Sequence, residues 1–147
     1  MLTVFDVADY ILNKVGRVTS MKLQKLVYYA QAWSLAWDDE PMFDEDFQAW
    51  ANGPVCPELF REHKGQFGLS EDFFVHYKKN ALSQQQTETI DIVLGDYASM
   101  SPHELSDLTH REYPWIHARG NTPLGMPCEN TIDKEVMRQY YSGLLAE

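Results

Sequence analysis

Two cysteines and five histidines are the side chains of this 147-residue chain best suited to act as nucleophile, base or metal ligand. Cys56 stands just before a helix signal at Pro57, where the helix dipole could lower a thiol pKa, and His63, His110 or His117 could supply an imidazole. That constellation would make a small cysteine-dependent hydrolase; the structural alternative is a small buried thiol beside a turn. His103, His110 and His117 recur at intervals of seven, which would align them on one continuous helix as metal ligands. Tyr113-Pro114 interrupts any such helix, so structural histidines are expected and no metal site is assigned. The sequence contains no GxGxxG, GxxxxGK[ST], HExxH or GxSxG pattern, so no cofactor, and no catalytic residue, is assigned either.

The charged residues suggest binding rather than catalysis. Asp38, Asp39, Glu40, Asp44, Glu45 and Asp46 place six carboxylates in nine residues. The run lacks the spacing and central glycine of an EF-hand loop. It reads as a solvated acidic face, with docking of a basic partner as the second reading. Lys14, Arg17, Lys22 and Lys25 cluster in two short helical segments joined by Gly16, a layout compatible with a helix-turn-helix. The second segment is too apolar to enter a DNA groove. Lys22, Lys25 and Tyr29 fall along one flank of that segment, and Tyr28 and Tyr29, one residue apart, cannot both lie on one narrow stripe. Either the flank is a protein-binding patch, to which Asp44 and Asp46 would add, or the helix is a central one buried nearly all round.

The elements that must position these residues are mainly helical. Thr3 can cap a first helix, with Asp6 near its positive end, and Gly16 closes it. A second helix starts at Thr19 or Ser20, repeats Leu23, Leu26, Val27, Ala30, Trp33 and Trp37, and runs to about Ala36 before Pro41. Phe43 to Trp50 reads as extended and Asn52-Gly53-Pro54 as a turn. Pro57 opens a third helix with Leu59, Phe60 and His63 inward. The alternation of Phe73, Val75 and Tyr77 predicts a short strand. Ser83 or Thr87 opens a fourth helix, and Ser101-Pro102-His103-Glu104 is a capping box for a fifth that ends near His110. Pro114 starts a short turn around Trp115 and Ile116. A last helix spans about Asp133 to Leu145, packed through Val136, Met137, Tyr140 and Leu144. The expected class is all-α, six or seven helices around a buried central one, with room for one short two-stranded β ribbon.

Composition agrees with one globular domain over residues 1–147. Hydrophobic residues make up 44% and aromatic residues 13%, enough for a core of large rings and too much for a disordered chain. The net charge of −10 has the wrong sign for holding a phosphate backbone or an anionic lipid surface without specificity. No apolar run reaches the roughly 18 residues of a membrane span. Residues 1–10 lack the basic-then-apolar order of a signal peptide. Two cysteines without a CxxC pattern suggest free thiols in a reducing, cytoplasmic setting.

Three blocks in order carry a family resemblance. Ser20-Met21-Lys22-Leu23-Gln24-Lys25-Leu26-Val27-Tyr28-Tyr29-Ala30-Gln31-Ala32-Trp33 resembles the signature of the Panacea domain, the family of SocA-like antitoxins and GepA-like phage-associated proteins. Phe47 to Val55 resembles its second block through Trp50, Gly53, Pro54 and Val55, and Leu105 to Trp115 its third through His110, Pro114 and Trp115. Val27, where leucine is usual, and Cys56 directly after the Gly-Pro-Val turn depart from the pattern. The resemblance implies an all-α cytoplasmic antitoxin, not an enzyme, encoded beside a toxin or in a prophage. Its partner would be a protein toxin, neutralised by direct binding and, in SocA-like members, by delivery to a ClpXP-type protease. It also implies that Leu23, Gln24, Gln31 and the motif residues of the second and third blocks are structural. Two other classes stay open: a hydrolase using Cys56, and a nucleic-acid-binding regulator using Lys14, Arg17 and Lys22.

Overall fold

A computed structural model describes residues 1–144. Helix α1 (Val4–Val15) follows Thr3, and its inner stripe of Val4, Val7, Ala8, Ile11 and Leu12 is fully buried. Gly16 adopts φ 77°, a conformation open to glycine, and ends the helix. Strand β1 (Val18–Thr19) leads directly into α2 (Ser20–Asp38), capped by the Thr19 hydroxyl, which accepts from the Lys22 amide at 3.1 Å. Helix α2 therefore runs two residues past the expected Ala36. It ends where Asp39 turns left-handed at φ 59°.

Strands β2 (Gln48–Trp50) and β3 (Gly53–Val55) form an antiparallel hairpin with Gln48 opposite Val55 and Trp50 opposite Gly53. Helix α3 (Pro57–His63) begins with proline at its first position, as its missing N–H allows. Leu59 and His63 face inward, and Phe60 is half-buried. Strand β4 (Gly68–Leu69) pairs antiparallel with β1. The fold therefore carries two ribbons rather than one.

Phe73 to Tyr77 is a run of turns, not the expected strand, closed by bonds such as Tyr77 N–H to Phe74 C=O at 3.0 Å. Period-two alternation requires a neighbouring strand to become a ladder, and among the described residues none pairs with it. Its rings instead cluster on Phe5, with Phe74 fully buried.

Ser83 and Ser101 close the capping boxes of α4 (Gln84–Tyr97) and α5 (Pro102–His110). Helix α6 (Tyr113–Arg119) is longer than the turn foreseen there. Helix α7 (Lys134–Leu144) packs through Met137 and Tyr141, whereas Val136 and Tyr140 are half-buried and Leu144 is exposed. The foreseen end at Leu145 lies outside the described residues. Around α2 are packed α7, α4, α1, β3 and α5, so the central helix meets protein on every side. Its residues from Leu23 to Leu35 are all buried.

Candidate functional site

The expected surface patch on α2 is overturned. Lys25, Tyr28 and Tyr29 are 2%, 1% and 0% exposed, because β3, α4, α5 and α7 close over the flank on which they sit. Lys22 is half-buried and spends its ammonium on the Ala98 carbonyl at 2.6 Å. The two tyrosines build an internal polar cluster. The hydroxyls of Tyr29 and Tyr141 donate to Glu112 Oε1 at 2.7 and 2.8 Å, and the Tyr28 hydroxyl lies 3.2 Å from that of Tyr141. Burial raises the pKa of the Glu112 carboxyl against the lowering effect of these two hydrogen bonds. Burial and the nearby Glu112 both push the Tyr29 hydroxyl upward. The rings of Tyr29 and Tyr97 stack at 4.1 Å, and Trp33 Nε1 donates to the Tyr97 hydroxyl at 2.9 Å.

The acidic run is largely committed to holding the fold. Asp38 accepts from Gln85 and Thr89 of α4, each at 2.9 Å. Glu45 accepts from the Val4 amide at 3.2 Å, and Asp39 lies 3.6 Å from Arg138. Asp46 pairs with Lys134 at 2.5 Å, and the exposed Asp44 accepts from the same ammonium through its backbone carbonyl at 3.0 Å. These carboxylates diverge toward separate partners instead of converging on one point.

Cys56 is fully buried, and burial, aided by Glu58 and Glu45, pushes its thiol up to about 12. A buried thiol held up in this way disfavours the thiolate form that a hydrolase nucleophile needs. The Cys56 thiol lies 3.8 Å from Glu58 Oε1, while His63 Nε2 accepts from Gln24 at 2.9 Å. Among the described residues no histidine bonds the thiol. His103, His110 and His117 likewise go separate ways. His103 pairs with Asp107 at 3.2 Å, and His117 lies 3.1 Å from the Tyr113 hydroxyl. His110 sits between the carbonyls of Ser106 (2.5 Å) and Ala51 (2.9 Å).

The motif residues meet around the β2–β3 hairpin. Its carbonyls are taken one after another by side chains from other elements: Ala49 by Arg119 Nη1 (2.9 Å), Trp50 by Trp115 Nε1 (2.9 Å), Ala51 by His110 and Asn52 by the Ser106 hydroxyl (2.8 Å). Gln24 closes the row, accepting from the Cys56 amide at 2.9 Å and donating to its carbonyl at 3.3 Å. The backbone N–H of Cys56 fixes which end of the Gln24 amide is oxygen, so Nε2 is the atom that donates to His63. Seven residues on, Gln31 repeats the device with the Met42 amide and the Phe43 carbonyl, both at 2.8 Å. Leu23, Gly53, Pro54, Val55, Pro114 and Trp115 are buried around this core, and Trp50 is half-buried.

The profile of the family described as "Antitoxin SocA-like, Panacea domain" matches residues 23–116. The chain belongs to this family. No match was found among curated proteins or among solved structures. In this Panacea-domain chain the matched stretch runs from the buried strip of α2, through the hairpin, to the α5–α6 residues that grip it. The family suggests an antitoxin-like role at this coarse level, and with it a protein toxin as the general class of partner. No helix among the described residues is long and apolar enough to cross a membrane.

One exposed feature of the Panacea-domain chain lies just beyond the matched stretch, and the sequence reading passed over it. The guanidinium of Arg119, 3% exposed, holds three carbonyls: Ala49, and Pro123 and Met126 at 2.8 Å each. Asn130 adds a bond to the Ala118 carbonyl at 2.9 Å. The loop 120–131 is thereby fixed, yet it shows Leu124 (79% exposed) and Met126 (53%) to solvent. Residues 127–129 of that loop form one wall of a groove of about 310 Å³, with Met21, Trp50, Ala51 and Asn52 opposite. The signal was present in the sequence as two apolar residues inside a Pro- and Gly-rich connector, next to an arginine followed by glycine.

Proposed function

We propose that this chain is a cytoplasmic antitoxin that neutralises a protein toxin by direct binding. The match to the SocA-like antitoxin family over residues 23–116 carries the reading. The loop 120–131 with its adjoining groove supplies the contact surface. A loop held by a buried arginine loses little conformational freedom on binding, so exposed apolar side chains on it give more net affinity than on a mobile segment. The net charge of −10 favours a basic toxin, with long-range attraction raising the association rate. Occlusion by mass action is sufficient for neutralisation. Transfer to a ClpXP-type protease is a second step, read separately as the toxin's half-life.

The test is growth rescue in cells expressing the polypeptide encoded beside this chain. The wild-type chain protects, and Leu124→Asp with Met126→Asp abolishes protection while leaving the thermal midpoint unchanged. Full protection by the double variant removes the surface but not the function. A wild-type chain that neither binds nor neutralises that polypeptide removes the function.

A further inference from the structure

The least comfortable side chain in the molecule is Lys25. It is 2% exposed, and its amine has no hydrogen-bond partner among the described residues. Buried polar groups are almost always satisfied, so an orphaned amine calls for a reason. What covers it is the hairpin. Gly53 stands at φ 118°, and a Cβ there would come within 2.4 Å of Lys25 Cε and 2.9 Å of the Thr109 hydroxyl. Glycine is thus the residue that lets strand β3 lie directly on the lysine stem. His63 of α3 is the ionisable group whose charge reaches Lys25, and it too is cationic when protonated. Gly53 of β3 and Thr109 of α5 bring no charge to offset an ammonium.

We infer that the β2–β3 hairpin is a proton-linked lid, seated over the Lys25 amine and opening more often as falling pH favours proton uptake by the amine it exposes. Seated, the lid excludes water, and desolvation brings the amine down to about 7. Lifted, it returns the amine to water and to its ordinary value near 10.5. Each opening between these values binds one proton, so the open fraction rises about tenfold for each pH unit lost and levels off below 7. The side chains that grip the hairpin carbonyls are released together, which makes the opening a local cooperative unit. Trp50, Ala51 and Asn52 rim the groove, so the lid sets the shape of that rim. This inference concerns the hairpin alone and holds whether or not a toxin binds there.

Amide hydrogen exchange at Cys56, whose N–H is held by Gln24, tests it between pH 7 and 10. Intrinsic exchange accelerates about tenfold per unit while lid opening falls about tenfold, so the measured rate is nearly flat. In Lys25→Met the opening no longer depends on pH, and the rate climbs about tenfold per unit. A wild-type rate that climbs like the variant's overturns the lid. Exchange at Cys56 no faster than at Leu26 in the core of α2 also overturns it, because the opening would then be that of the whole chain. Should the methionine variant not fold, the ¹³Cε shift of Lys25 in the wild type decides: a midpoint near 7 supports the lid, and one above 10 overturns it.

Discussion

The indole N–H of Trp115 donates to the carbonyl of Trp50 at 2.9 Å, tying the first turn of α6 to the β2 edge 65 residues earlier. The Trp115 ring also contacts His110, 4.0 Å between ring centres, and the Arg119 guanidinium, 4.9 Å from its centre. One residue thus joins the third motif block to the second.

Trp115→Phe keeps much of the ring volume and removes the donor. The Trp50 carbonyl is left without that partner, so the variant is less stable by about 1–3 kcal/mol, measured by urea unfolding. Arg119→Met costs more, because three carbonyls lose their donor together. It also speeds exchange of the Thr122, Leu124, Gly125 and Met126 amides.

Glu112 separates charge from hydrogen bonding. Its raised pKa means the folded chain favours the protonated acid: the stabilising contribution is complete below the unfolded value near 4.5 and is lost as pH rises through the folded one. Glu112→Gln keeps an acceptor for Tyr29 and Tyr141, so its stability relative to wild type improves from pH 4 to pH 7. Glu112→Ala orphans the Tyr29 hydroxyl and leaves Tyr141 only the Tyr28 hydroxyl, 3.2 Å away, so it costs about 1–3 kcal/mol. Thermal melts of both variants at the two pH values check the sign.

For Lys25 the sign is opposite. The unfolded amine titrates near 10.5 and the folded one near 7, so the unfolded chain holds the extra proton between them and stability rises with pH across that window. Three and a half units at about 1.4 kcal/mol each give an upper bound of about 5 kcal/mol at pH 7. Lys25→Met is expected to stabilise the chain at pH 7 by a substantial part of that figure. The gain should shrink toward pH 10 in denaturant titrations.

Cys56 should resist alkylation. A thiol pushed up to about 12 and fully buried reacts with iodoacetamide only through opening of the structure. Labelling of native protein should therefore follow unfolding, and denaturant should accelerate it by orders of magnitude. Fast labelling of the native fold would contradict the assigned environment.

Helix starts were readable from sequence because caps are local chemistry. Thr19, Ser83 and Ser101 each accept a backbone N–H three residues on, within one turn of chain. The apolar repeat of α1 and the dense apolar content of α2 likewise assigned an inner helix without reference to distant residues. The three motif blocks identified the family for the same reason, since residue type and order suffice.

Whether Lys25, Tyr28 and Tyr29 face solvent was a different kind of question. The alternatives of a patch and an all-round buried helix differ only in what arrives later in the chain. Tyr141, which lies 113 positions beyond Tyr28, helps close that flank, and Glu112 gives its tyrosines an acceptor. A helical repeat specifies which residues share a face but not how many faces other elements will cover. The same limit applies to Phe73–Tyr77, where alternation was visible but the missing partner strand was not. It applies also to Arg119, whose three carbonyl partners become adjacent only in the folded chain. The sequence therefore determined the elements and the family. The tertiary structure decided which polar side chains were enclosed, because enclosure is set by long-range packing that no local pattern encodes.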